Sequence, residues 1–166
     1  MSQPWLASAC LLGRHCRYDG GHKRNETIVA LAKRQKLIPV CPESLGGLPI
    51  PRPPSEISGG DGADVLAGKA KVITKEGEDV TPCFLKGANE VLKIAQAHNV
   101  KKAILKARSP SCGCGEIHDG TFSGKTRPGD GVTTALLKKH QIEVMTETLS
   151  GTGCVTRRFR KSWITP

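Results

Sequence analysis

Three short apolar runs, at residues 5–9, 37–40 and 103–105, each lead into a segment that carries a cysteine: Cys10, Cys41 and Cys112. Runs of this length, separated by stretches with helical spacing, read as strands of an α/β sheet. In an open parallel sheet all strand C-termini face one crevice, and ligands bind there. Thiols far apart in sequence would therefore meet at one place. Three soft donors without an obvious fourth describe a metal centre that keeps a vacancy for substrate.

The segments between the runs supply the rest of the architecture. Asn25 is placed to cap a helix over residues 26–35, with Ile28, Val29, Leu31 and Ala32 on one side and Lys33, Arg34 and Lys36 complementing the dipole at its end. Thr81-Pro82 reads as a cap followed by proline at the first helical position, and Phe84, Leu85, Ala88, Val91, Leu92 and Ala95 recur at helical spacing to about residue 98. Asp130 is expected to cap a helix over 132–140, before a strand at 142–145. Residues 71–74 read as a short edge strand, 102–106 as a central one, and Asp119-Gly120 as a tight hairpin turn. Residues 46–62 contain Pro49, Pro51, Pro53 and Pro54, which disfavour helix and central strand and predict a stiff extended loop. The order predicts one Rossmann-like α/β domain over residues 1–148, with a mainly parallel sheet and helices on both faces. Residues 149–166 read as a basic tail.

A chain of 166 residues suits one domain with a sizeable core. It has no apolar run long enough to span a bilayer and no secretory leader pattern, so a cytoplasmic location without a membrane partner is expected. Seven cysteines, an odd number, argue against a disulfide framework and for metal or redox chemistry. The formal charge is +10, but Arg157, Arg158, Arg160 and Lys161 sit in the last ten residues. Charge of this kind governs association rather than chemistry. One Tyr, three Phe and two Trp provide no stacking platform for single-stranded nucleic acid. A nucleic-acid partner is therefore not favoured.

The segment Ser109-Pro110-Ser111-Cys112-Gly113-Cys114-Gly115 is too small and polar for core, and it lets backbone approach a bulky inorganic group. Cys41 precedes Pro42, a pairing frequent at iron–sulfur ligands but weak as a signal by itself, whereas Cys10 taken alone reads rather as a small buried hydrophobe. A structural zinc site wants four ligands in paired knuckles, and no such knuckle is present. An iron–sulfur cluster tolerates dispersed cysteines, and three thiolates leave one iron open to a substrate atom. Glu43, two residues past Cys41, is a candidate general acid or base. Ser109 and Ser111 are candidates to orient water or substrate, or else serve the turn. Arg17 and Tyr18 stand near the Cys10 loop, while His118 reads as a turn residue. The start of the last helix at Asp130-Gly131-Val132-Thr133 reads as simple capping. Cys83 and Cys154 are not expected to be ligands. No Gly-x-Gly-x-x-Gly follows the first strand, which removes a dinucleotide-binding reading.

Several motifs resemble those of the TudS-like thiouracil desulfidase family, a bacterial domain family formerly of unknown function. They are Ser8-Ala9-Cys10-Leu11-Leu12-Gly13, Cys16-Arg17-Tyr18-Asp19-Gly20, Val40-Cys41-Pro42-Glu43, and Gly46-Gly47-Leu48-Pro49 followed by Pro51-Arg52-Pro53-Pro54. Further on come Lys106, Arg108-Ser109-Pro110-Ser111-Cys112-Gly113, Asp119-Gly120-Thr121-Phe122-Ser123-Gly124 and Gly129-Asp130-Gly131-Val132-Thr133. The resemblance spans about residues 6–147. It implies a Rossmann-like domain holding a [4Fe-4S] cluster through Cys10, Cys41 and Cys112. It also implies non-redox conversion of 2-thiouracil to uracil and hydrogensulfide, with the substrate sulfur bound at the open iron. Glu43, Ser109 and Ser111 are the catalytic candidates under it, Cys114 is dispensable, and a small thiolated nucleobase is the partner. Thiolated nucleosides or tRNA bases, a metal-stabilised RNA-binding module and a plain electron-transfer cluster are the alternatives.

Overall fold

The computed structural model describes residues 3–149. In chain order the elements are β1 (Trp5–Ser8), α1 (Glu26–Leu31), β2 (Leu37–Val40), α2 (Pro42–Leu45), β3 (Ser55–Ser58), α3 (Gly62–Leu66), β4 (Lys71–Thr74), α4 (Thr81–Ala97), β5 (Lys102–Leu105), β6 (Glu116–His118), β7 (Thr126–Pro128), α5 (Val132–Lys139) and β8 (Glu143–Thr146). Four of the strands form a parallel sheet in the order β2-β1-β5-β8.

The period of two along these strands sends alternate side chains to opposite faces. Leu6, Val40, Ala103, Leu105 and Val144 face α4 and α5, where they pack with Phe84, Ala88, Val91 and Leu137. Ile104 and Met145, with Trp5 and Leu37, face the other way and cover Ile28 of α1. Each fully buried aliphatic side chain contributes about 1.5–3 kcal/mol. Helices thus cover both faces of a mainly parallel sheet, as the sequence predicts.

The chain moves from β1 outward to β2, then crosses back to β5 and on to β8. Strand order therefore reverses between β1 and β5, and a crevice opens beyond their carboxyl ends. The two antiparallel ribbons, β3–β4 and β6–β7, lie outside this sheet.

Several local expectations are corrected. Asn25 does cap α1, accepting from Ile28 N at 3.2 Å, but the α-helix ends at Leu31 and its last turn tightens, with Arg34 N bonded to Leu31 O. Residues 46–62 are not wholly loop: β3 follows the prolines, and α3 begins at Gly62 under a capping box of Asp61 and Asp64. The four-residue α2 was not expected; Cys41 is its N-cap and Pro42 occupies its first turn. Thr81 lies inside α4 rather than capping it, because its Oγ1 accepts from Val72 N of β4 at 2.9 Å. Asp119-Gly120 makes no two-residue hairpin turn, since seven residues separate β6 from β7. The strands expected at 5–9, 102–106 and 142–145 are Trp5–Ser8, Lys102–Leu105 and Glu143–Thr146. The basic tail from residue 150, with Cys154, lies outside the described residues.

Candidate active site

The crevice at the switch point is a cavity of about 530 Å³. Its floor comes from three strand ends: Ser8, Ala9 and Cys10 after β1, Cys41, Pro42 and Glu43 after β2, and Lys106 to Cys112 after β5. Cys10, Cys41 and Cys112 thus line one site, as the strand-end argument requires. A fourth thiol joins them. Cys16 also lines the cavity, and Cys41 Sγ donates to its carbonyl at 3.6 Å. The sequence places this thiol near the Cys10 loop, six residues on, without assigning it a role.

Each cysteine is fixed by a different device. After β1 the chain tightens into a 3-10 turn over Ala9–Leu12, which buries Cys10. Cys41 is held by the packing of α2 on α4 through Gly46 and Gly87. A Cβ on Gly46 would lie 2.0 Å from Cys83 O, and one on Gly87 would lie 1.9 Å from Pro42 O. Only glycine allows that approach. Cys83 itself sits on α4 and does not line the cavity.

Cys112 is held by the start of α5. The first N–H groups of a helix have no partner within it. Here Val132 N donates to Pro110 O at 2.9 Å and Thr133 N to Ser111 O at 2.9 Å, while Thr134 Oγ1 donates to Cys112 O at 2.8 Å. The cysteine loop therefore caps the helix. Asp130, expected as the cap, instead accepts from Gly115 N at 2.8 Å and pairs with Lys138 at 3.0 Å; Gly131 is the N-cap.

The two serines form a chain that ends on sulfur. Ser109 Oγ accepts from Ser111 N and Cys112 N, each at 3.1 Å, and lies 3.0 Å from Ser111 Oγ. With two N–H groups directed at it, Ser109 has its own proton left to donate towards Ser111. Ser111, 2% exposed, in turn donates to Cys112 Sγ at 3.6 Å. Burial pushes the Cys112 thiol up to about 12, against the opposing pull of the Ser8 and Ser111 hydroxyls. Cys41 is likewise pushed up, first by Cys16 beside it and then by burial, and Cys16 is raised chiefly by Cys10. These thiols keep their protons unless a cationic centre displaces them.

Glu43 is clamped. Arg52 Nε donates to Glu43 Oε2 at 2.9 Å, Arg52 Nη2 contacts the same oxygen, and Nη2 also donates to Cys16 O at 2.9 Å. The pair is well shielded, with side chains 5% and 15% exposed. Glu43 Oε1 accepts no hydrogen bond from any described residue. One oxygen is thus anchored and the other is available. Lys106, also on the cavity, pairs with Glu147 at 2.8 Å, and Glu147 further accepts from Ala107 N.

The donor set suits a cluster. Among the described residues no three His, Cys, Asp or Glu side chains are disposed to hold a single metal ion. A cubane distributes its thiolates over several irons, and the sulfur donors here come from three strand ends around one cavity. Neither Cys114, buried beneath the loop, nor Cys83 contributes to the lining. Among the described residues no helix is long and apolar enough to cross a membrane.

A doubly wound α/β fold with a thiol-lined crevice at its switch point defines a class of metal-dependent enzyme rather than a dinucleotide binder. Residues 6–148 match the 2-thiouracil desulfurase family, and the chain belongs to it. It is 50% identical over 142 residues to a Bacillus subtilis (strain 168) protein described as "Uncharacterized protein YbbK", covering 86% of this chain and 94% of that one. Among solved structures it is similar to the [4Fe-4S]-dependent thiouracil desulfidase TudS, with 41% identity and a TM-score of 0.79 over 89% of this chain and 92% of that one.

Proposed function

We propose that this chain is a [4Fe-4S]-dependent desulfidase that converts 2-thiouracil to uracil and hydrogensulfide, with Cys10, Cys41 and Cys112 holding the cluster. One observation carries the reading: the segments after β1, β2 and β5 deliver these cysteines to a single cavity that also contains an anchored carboxylate, Glu43. A cluster bound through three cysteines supplies a thiophilic Lewis acid at its remaining iron, which suits departure of sulfur from a thiocarbonyl.

The rest falls to the protein. Net hydrolysis exchanges the C=S sulfur for the oxygen of one water, and both water protons leave on sulfide or to solvent. Glu43 takes a proton from the attacking water at Oε1 and returns it to the departing sulfur or a ring nitrogen, while Arg52 holds Oε2 still. Ser109, half-buried, and Ser111, buried, hold the Cys112 loop and its sulfur in place. Arg17, Lys23, Lys75 and Arg108 also line the cavity, and they favour a second reading in which the base carries an anionic extension, as in thiolated nucleotides or tRNA.

Anaerobically purified protein should carry about four irons per chain. It should release sulfide stoichiometrically with uracil from 2-thiouracil. A colourless zinc protein without sulfide release would overturn the reading, and comparative turnover of 2-thiouracil, 4-thiouracil and thiolated RNA separates the two substrates classes.

A further inference from the structure

The part of the cavity built by the two ribbons carries no thiol. It presents Glu56, Lys75, His118, Phe122 and Gly124. Phe122 has φ of 55°, a left-handed conformation that bulky side chains rarely adopt. The surroundings enforce it. Glu56 on β3 is 8% exposed, and its Oε1 accepts from Gly120 N at 2.9 Å and from Phe122 N at 3.2 Å. Asp119 Oδ1 accepts from Thr121 N at 2.9 Å. Gly120 runs so close to β3 that a Cβ there would lie 2.7 Å from Ile57 O.

A buried carboxylate thus holds an aromatic residue in an unfavourable backbone state. Core packing gives no reason for it, because Phe122 belongs to neither hydrophobic cluster of the sheet. Phe122 is half-buried and lines the cavity instead. Among the lining residues the other aromatic rings are Tyr18, 40% exposed, and the imidazole of His118. Strain maintained at a cavity wall marks a positioned functional group.

We propose that Phe122 is the residue on which the planar heteroaromatic ring of the substrate stacks, and that Glu56 is its positioning residue. This rests on the desulfidase reading and adds to it the specificity element. A thiolated pyrimidine offers a flat π-face that needs an apolar partner, whereas the strand-end side of the cavity offers thiols, a carboxylate and cations.

The test uses the cluster-loaded protein with Phe122→Leu, Phe122→Tyr, Phe122→Gly and Glu56→Gln. Iron content, Tm, kcat and KM for 2-thiouracil, and Kd for uracil by calorimetry are measured. Phe122→Leu should retain its iron and raise KM and Kd together by about 5- to 100-fold, with a smaller change in kcat. Phe122→Tyr keeps a stacking face and should recover most of the uracil affinity lost in Phe122→Leu, and Glu56→Gln should weaken uracil binding less than Phe122→Leu. Phe122→Gly should lose affinity yet melt no lower than wild type, since glycine is at ease with this φ. Uracil binding at wild-type strength in Phe122→Leu, loss of iron from that variant, or a lower Tm for Phe122→Gly overturns the proposal. Wild-type protein that holds no iron and leaves 2-thiouracil intact instead overturns the desulfidase reading itself.

Discussion

The two sides of the cavity are built by opposite means. On the strand-end side, Cys10, Cys41 and Cys112 are delivered by a parallel sheet buried on both faces, and each following turn is locked by backbone contacts. On the ribbon side, two short antiparallel ribbons depend on side-chain hydrogen bonds, chiefly from Glu56 and Asp119, to shape the loop at residues 119–125. The first arrangement is rigid and chemically specialised. The second rests on carboxylates that accept from the N–H groups of the loop. The difference indicates that cluster retention and substrate recognition can be separated by mutation.

The sharpest break of that comparison lies in the thiols. Serine at Cys10, Cys41 or Cys112 should abolish iron retention, because hydroxyl is a poor ligand for iron beside sulfide. Cys83→Ser should keep full iron content. Iron and acid-labile sulfide analysis decides; a Cys112→Ser protein with a complete cluster would remove that residue from the ligand set. Next in size is Glu43→Gln, which should hold the cluster while lowering kcat by about 10²–10⁴. Near-normal turnover would take Glu43 out of proton transfer and leave it as Arg52's partner.

Much of the strand-end side was legible in the sequence, since a short continuous apolar run marks a strand buried on both faces and a cysteine follows each run. The parallel order and the convergence of three thiols follow from fold rules alone. What stayed hidden depends on contacts distant in sequence. Nothing local at Thr81 announces that its hydroxyl serves Val72 instead of capping α4, or that Asp130 turns to Gly115 and Lys138. Arg52 was visible only as part of a proline-rich motif, yet it clamps Glu43 across nine residues. Prolines at 49–54 masked β3, whose pairing with β4 begins just past them. The strain at Phe122 has no sequence signature.

A smaller perturbation tests whether the Cys112 loop is as rigid as its contacts imply. A Cβ on Gly131 would lie 2.5 Å from Ser111 C and 2.9 Å from Cys112 N, so Gly131→Ala must push the cysteine loop away from α5. The cost should be about 1–3 kcal/mol. That corresponds to a fall in Tm of roughly 3–10 °C for a domain of this size. Iron content should fall with it, although every ligand is intact. An unchanged iron content at lowered Tm would show that the loop shifts as a unit with its cluster.

The mildest effect belongs to the ribbon side and depends on pH. The Thr121 hydroxyl, and then its N–H, hold the Asp119 carboxyl below its ordinary value of 3.8. A carboxyl whose value is depressed by folding stabilises the folded form fully above its unfolded value and loses that contribution as pH falls through the folded one. The loop carrying Phe122 should therefore loosen as cluster-free protein is taken from about pH 5 to about pH 3, while the sheet still holds. Faster amide exchange at residues 120–124, ahead of β1 and β5, is the expected signature. Thr121→Val removes the hydroxyl and should flatten that pH dependence. If the variant loosens over the same range as wild type, the acid sensitivity does not come from the Thr121 hydroxyl on Asp119.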